Sequence, residues 1–122
     1  MLNSKKEKLD LRVLLSSKAS KYKNKKVKVG DVTFDSKREA ARYGELCLRE
    51  RIGEIEEIEL QPRFPLVVNG QKVATYVADF RYRVKATGAV VVEDVKGVRT
   101  AIYRIKKKLV AALHGIEIVE IP

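Results

Sequence analysis

Two aspartates and a lysine are the residues in this chain best spaced to do chemistry. Residues 76–84 alternate strictly: Tyr76, Ala78, Phe80, Tyr82 and Val84 fall on one face, and Val77, Asp79, Arg81 and Arg83 on the other. Residues 89–96 form a β-branched strand, separated from the first by Lys85, Ala86, Thr87 and Gly88. Closing a hairpin over that loop sets Val84 opposite Ala89, and the same register sets Asp79 opposite Asp94. Opposed residues share a face, with Cβ atoms about 5 Å apart. Lys96, two positions beyond Asp94, shares it too. A slip of one residue would oppose Asp79 to Glu93 instead.

Two facing carboxylates repel unless something neutralises them. Asp94 also follows the apolar run of Val90, Val91 and Val92, so burying its charge alone would be costly. A hard divalent cation, Mg²⁺ or Mn²⁺, answers both problems and keeps positions for water and phosphate. The chemistry would be hydrolysis at phosphorus: the cation polarises a phosphate and acidifies water, and Lys96 orients the water or stabilises the developing charge. The plainer alternative is a cross-strand salt bridge between Lys96 and the two aspartates, and Asp-x-Lys spacing alone does not choose between them.

The surrounding elements must position this trio. Residues 26–34 read as a short hairpin around Gly30 and Asp31. Residues 36–51 read as a helix, with Ser36 and Glu39 at capping-box spacing and Gly53 beyond its end. Residues 55–61 form a strand that Pro62 stops. Residues 64–68 and 72–75 flank Asn69 and Gly70, a second hairpin turn. Thr100 caps a helix reaching about Leu113 that His114 and Gly115 end, and residues 116–121 make the last strand. This pattern gives an α/β domain built on a single mixed sheet flanked by helices, with an N-terminal β-hairpin.

The chain has 122 residues, enough for one domain and one core. Its net charge of +10 suits a polyanionic partner. The excess is uneven: ten of the 26 Lys and Arg, but only two of the 16 acids, lie in the first 28 residues. Residues 1–20 therefore read as a basic N-terminal arm before a domain at 21–122, and a solvated tail is its plain alternative. No apolar run is long enough to span a bilayer, and no secretory signal is evident. Cys47 is the only cysteine, which excludes an internal disulfide and fits a reducing, cytoplasmic setting.

Several separate pieces together make the sequence similar to the PD-(D/E)XK nuclease superfamily. They are Lys21-Tyr22 with Asn24-Lys25-Lys26, Phe34-Asp35-Ser36-Lys37-Arg38-Glu39-Ala40, Leu60-Gln61-Pro62-Arg63-Phe64, Tyr76-Val77-Ala78-Asp79-Phe80, Glu93-Asp94-Val95-Lys96-Gly97, and Tyr103 with Lys106-Lys107-Lys108-Leu109. The resemblance is closest to a phage and prophage family that carries a domain-of-unknown-function label, and it covers roughly residues 21–120. It implies a restriction-endonuclease-like core of helix, three strands, helix, strand. It implies that Asp79 is the first motif aspartate, that Asp94 and Lys96 are the (D/E)-x-K pair, and that Glu39 and the Val95 carbonyl join the metal. Ala78 stands where the superfamily often has proline, a degenerate position. Holliday-junction resolvases share the layout. The resemblance therefore implies a Mg²⁺-dependent endonuclease in phage recombination or DNA processing, acting on branched DNA, with DNA and a second copy in a homodimer as its partners. Alternatives are an inactive DNA-binding module of the same fold and a recombination exonuclease.

Other residues carry competing readings. Glu39 also suits the helix cap, and one carboxylate does not easily serve both roles. Glu93 points away from Asp94, which favours a salt bridge, with strand twist keeping it as a spare ligand. Gln61 sits at a strand end, as an accessory or a loop hydrogen bond. Lys106 is the first candidate among the last helix's cations for contact with phosphate. Lys21, Lys23, Lys25, Lys26, Arg81, Arg83, Arg104 and Lys107 are further candidates for the DNA backbone, against the plainer reading of a solvated surface. His114 fits a helix terminus better than catalysis, and Cys47 fits the core.

Overall fold

A computed structural model describes residues 26–122. The basic arm and the candidates Lys21, Lys23 and Lys25 lie outside the described residues. The chain divides into two compact units, one ending at Ala41 and one beginning at Arg42.

In the first unit β1 (Val27–Val29) pairs antiparallel with β2 (Val32–Phe34), setting Val29 opposite Val32. Gly30 takes φ +60° in the loop, a conformation only glycine adopts without steric cost. Helix α1 (Lys37–Arg51) begins here and continues into the second unit. The expected start signal is present: Ser36 Oγ accepts the Glu39 N–H at 3.2 Å.

In chain order the second unit continues through β3 (Ile55–Leu60), β4 (Arg63–Val68), β5 (Gln71–Val77), β6 (Phe80–Val84), β7 (Val90–Val95), α2 (Ala101–His114) and β8 (Ile118–Ile121). Strands β3, β6, β7 and β8 form one mixed sheet in that order. The β3–β6 and β6–β7 pairs are antiparallel, and β8 runs parallel to β7 after the α2 crossover. Setting β4 and β5 aside, the order from α1 is helix, three strands, helix, strand, as expected.

Two strand assignments differ from expectation. The hairpin of β4 and β5 is a separate two-stranded ribbon rather than part of one sheet. Residues 76–84 are not one strand either; they break at Ala78 and Asp79. The cause is a change of partner. The Ala78 N–H still donates to the Pro62 carbonyl beside the ribbon, whereas the Asp79 N–H donates to the Glu93 carbonyl of the main sheet. Local alternation carries no information about such an exchange.

The break moves Tyr76 to the other side. Alternation placed it with Phe80 and Tyr82. Instead it joins the core formed by Phe64, Leu66, Ala78, Val92, Tyr103, Val110 and Ile118, on the face covered by α2. Phe80 stacks on Tyr43 of α1, on the opposite face. Burial of Leu66, Val92 or Val110 contributes about 1.5–3 kcal/mol each.

Both ends of α2 are capped as the sequence indicates. Thr100 Oγ1 accepts the Tyr103 N–H at 3.1 Å, and Gly115, at φ +68°, donates its N–H to the Ala111 carbonyl. His114 Nε2 lies 2.7 Å from the Pro65 carbonyl, so this histidine ties the helix end to the ribbon. Cys47 is a free, half-buried thiol. No helix among the described residues is long and apolar enough to cross a membrane.

Candidate functional site

The site forms where β6, β7 and the ribbon's base meet. The register expected from a four-residue loop is the one observed: Phe80 faces Glu93, Arg81 faces Val92 and Arg83 faces Val90. The Val84 N–H closes the hairpin on the Ala89 carbonyl at 2.8 Å. Asp79 lies just before β6, and its carboxylate extends the ladder by accepting the Val95 N–H at 2.7 Å. Its backbone carbonyl accepts the Gln61 backbone N–H at 2.9 Å.

Asp94 is only 3% exposed. The Tyr76 hydroxyl donates to its Oδ2, and Lys96 Nζ stands 3.6 Å from its Oδ1. Lys96 also lies over the Tyr103 ring, 4.3 Å from the centroid, a favourable place for an ammonium. The Tyr103 hydroxyl donates to Glu120 Oε2 at 2.8 Å, and Glu120 further accepts from Arg99 at 2.7 Å and Lys107 at 3.2 Å. The ring beneath Lys96 is therefore held from behind by a charged cluster.

Titration behaviour follows from these contacts. Burial, reinforced by the Asp94 carboxylate, pushes the Tyr76 phenol well above its ordinary range, so it stays a proton donor. Burial and Glu120 do the same for Tyr103. The Tyr103 hydroxyl first, then Arg99 and Lys107, lower the Glu120 carboxyl to about 2.

The adjacent Glu93 is committed to the opposite face. It is 1% exposed and accepts from Arg42 Nε at 2.8 Å and Nη2 at 2.5 Å, with the Tyr82 hydroxyl as a third donor. It does not join Asp94, which fits the salt-bridge reading rather than that of a spare ligand. Glu39 belongs to the first unit, where its backbone N–H donates to Ser36 Oγ at 3.2 Å.

Most candidate DNA-contacting cations of the second unit are paired within the fold. Arg81 donates to Glu59 at 2.8 Å, Arg83 meets Glu57 at 3.5 Å, and Lys107 meets Glu120. Lys106 donates to the Thr75 carbonyl of the ribbon at 3.2 Å. Arg104 and Lys108 are exposed on α2, and Lys26 is exposed in the first unit.

The donors suit a hard cation. Asp79 and Asp94 supply carboxylate oxygens, and one ammonium leaves the trio with net negative charge. Among the described residues no group of three or more His, Cys, Asp or Glu converges. Mg²⁺ is commonly held by one or two carboxylates with waters completing its shell, so two aspartates and a carbonyl such as that of Val95 fit it. The sequence did not single out Tyr76, Tyr103 or Glu120 as supports of this site. Tyr76 and Tyr103 stood only within the pieces that carry the resemblance, and Glu120 only as an acid in the last strand, because their pairing is not local.

The fold and site define a mixed α/β domain with a buried aspartate, a second aspartate and a lysine gathered at one sheet end. The chain belongs to the family described as Protein of unknown function (DUF1064), whose model matches residues 19–116. No curated protein and no solved structure shows a match.

Proposed function

We propose that this protein is a Mg²⁺- or Mn²⁺-dependent endonuclease of the PD-(D/E)XK type, acting on DNA in a reducing cytoplasm. The observation that carries the reading is the pairing of Asp79 and buried Asp94 with Lys96 on one face, in the register that brings all three to the same sheet end.

Asp79 and Asp94, with the Val95 carbonyl, would hold the cation. The chemistry it supplies is polarisation of the scissile phosphate and activation of water. Asp94 keeps a fixed orientation because Tyr76 occupies one oxygen. Lys96, held over Tyr103, brings positive charge to the oxygens where negative charge develops during attack on phosphorus. The Asp79 carboxylate is aimed by the Val95 N–H. Arg104 and Lys108 on α2 offer exposed charge for the phosphate backbone.

The substrate class we favour is branched DNA, cut by a homodimer whose two sites act on two strands. This choice rests on the superfamily resemblance. The assay is incubation of wild type, Asp94→Ala and Lys96→Ala with a labelled four-way junction and a matched linear duplex, in Mg²⁺, Mn²⁺ or EDTA. Metal-dependent cutting by wild type, reduced by about 10²-fold or more in each variant, supports the reading. Preference for the junction supports the branched substrate. Binding without cutting in any metal would instead identify a DNA-binding module, and digestion from ends an exonuclease.

A further inference from the structure

The β4–β5 ribbon is tied to the carboxylate site at its base and exposed at its tip. At the base, Gln61 and Asp79 share a backbone hydrogen bond, as do Ala78 and Pro62. Phe64, Leu66 and Tyr76 anchor the ribbon in the core. Helix α2 holds it at two further points, Lys106 on the Thr75 carbonyl and His114 on that of Pro65.

The tip is different. Asn69 and Gly70 turn with φ of +50° and +77°, both left-handed, as a tight two-residue hairpin turn requires. Leu66 faces Ala74, but Val67 faces Lys72, so Val73 is the extra residue of a β-bulge. Val73 is 63% exposed, Val67 42% and Val68 39%. Asn69, Gln71 and Lys72 are exposed beside them. From Gln61 to Ala78 the sequence has no acidic residue, while Arg63 and Lys72 are exposed and basic. By contrast, β3 carries Glu56, Glu57 and Glu59.

We propose that this ribbon is a DNA-reading arm whose tip enters the major groove of duplex DNA beside the carboxylate site. The proposal rests on the nuclease reading and adds where the duplex is held and read. The major groove admits a two-stranded ribbon. The tip offers the side chains that groove recognises: Asn and Gln for adenine, Lys for guanine, and apolar valines for the thymine methyl. The absence of acids removes repulsion from phosphates along the whole arm. The turn at Gly70 lies about nine residues from Asp79, roughly 30 Å along the strand. At a rise of about 3.4 Å per base pair, any sequence preference falls within about nine base pairs of the cut.

The test measures binding of a labelled duplex in EDTA, with cleavage in Mg²⁺ run in parallel. The variants are the triple Val67→Ser, Val68→Ser, Val73→Ser, the double Gln71→Ala, Lys72→Ala, and a control, Val119→Ser, on β8. All the altered residues are exposed, and circular dichroism melting confirms that each variant folds. Both ribbon variants should weaken binding about tenfold or more, and the control should not. Methyl green, a major-groove ligand, should displace the wild type, whereas distamycin, a minor-groove ligand, should not. Unchanged binding by the ribbon variants, with wild-type cutting intact, overturns the arm and leaves the nuclease reading standing. Weakened binding without any cutting by wild type supports the arm and overturns the nuclease. Displacement by distamycin alone, a change in self-association instead of DNA binding, or no DNA binding by wild type each overturns the arm.

Discussion

Glu93 and Asp94 are neighbours on one strand, equally buried, and they live in opposite electrostatic surroundings. Glu93 faces α1, where the Arg42 guanidinium and the Tyr82 hydroxyl satisfy it. The same contact, with Glu93 as the largest cause, holds Arg42 above its ordinary range. Asp94 faces α2, where it has a neutral phenol, an ammonium 3.6 Å away and Asp79 nearby on the same face. One carboxylate is neutralised inside the protein. The other accepts from a neutral hydroxyl and lies 3.6 Å from the Lys96 ammonium. Burial alone marks neither residue as functional; the kind of partner each carboxylate has separates them, a guanidinium for Glu93 and a phenol with an ammonium for Asp94.

The comparison breaks most visibly on the α1 side. Arg42→Leu leaves the buried Glu93 carboxylate without its cation, a loss of about 3–5 kcal/mol, and Glu93→Gln, which leaves Arg42 its pair with Glu45 at 3.0 Å, should cost somewhat less. For a domain of this size the melting temperature should fall by more than about 10 °C. Calorimetry of both variants measures it, and a loss under about 1 kcal/mol would mean the pair is no structural anchor. Asp94→Asn should cost less stability, because its closest hydrogen-bond donor is the neutral Tyr76 hydroxyl, which an amide oxygen still accepts.

The next effect concerns Tyr76. Tyr76→Phe keeps the ring in the core and removes only the hydroxyl that fixes Asp94. Metal affinity should weaken about 10-fold, within the range for lost outer partners of a metal ligand. The Mn²⁺ concentration for half-maximal cutting reads this directly. A drop in stability with no change in metal requirement would reduce Tyr76 to a packing residue.

The smallest effect belongs to Glu120, behind the ring that carries Lys96. Its carboxyl is lowered from 4.5 to about 2 by Tyr103, Arg99 and Lys107. The depressed value means the contribution to stability is present above pH 4.5 and fades as pH falls through 2. Glu120→Gln should therefore melt below wild type at pH 7, with the gap shrinking between pH 4.5 and 2. A gap independent of pH would show that the ion cluster does not stabilise the fold.

Much of this arrangement was legible in the sequence because it is set locally. Loop residues 85–88 fix the β6–β7 register, and that register carries Asp79, Asp94 and Lys96 to one face. Ser36, Thr100, Gly115 and the Asn69–Gly70 turn mark element ends by their own backbone chemistry. Tyr76 was misplaced because the strand changes partners at Ala78 and Asp79, and alternation carries across that break unnoticed. Arg42, 51 residues from Glu93, gave no local sign of its partner. Neither did Tyr103, whose ring supports Lys96 only after α2 folds over the sheet.

The most direct measurement is Mn²⁺ binding, followed by the loss of the free-ion paramagnetic resonance signal, on wild type, Asp94→Asn and Glu93→Gln below their melting temperatures. Wild type and Glu93→Gln should bind the ion, and Asp94→Asn should lose it. Equal binding by Asp94→Asn, or no binding by wild type, would contradict a cation site at Asp79 and Asp94 and leave Lys96 as their salt-bridge partner alone.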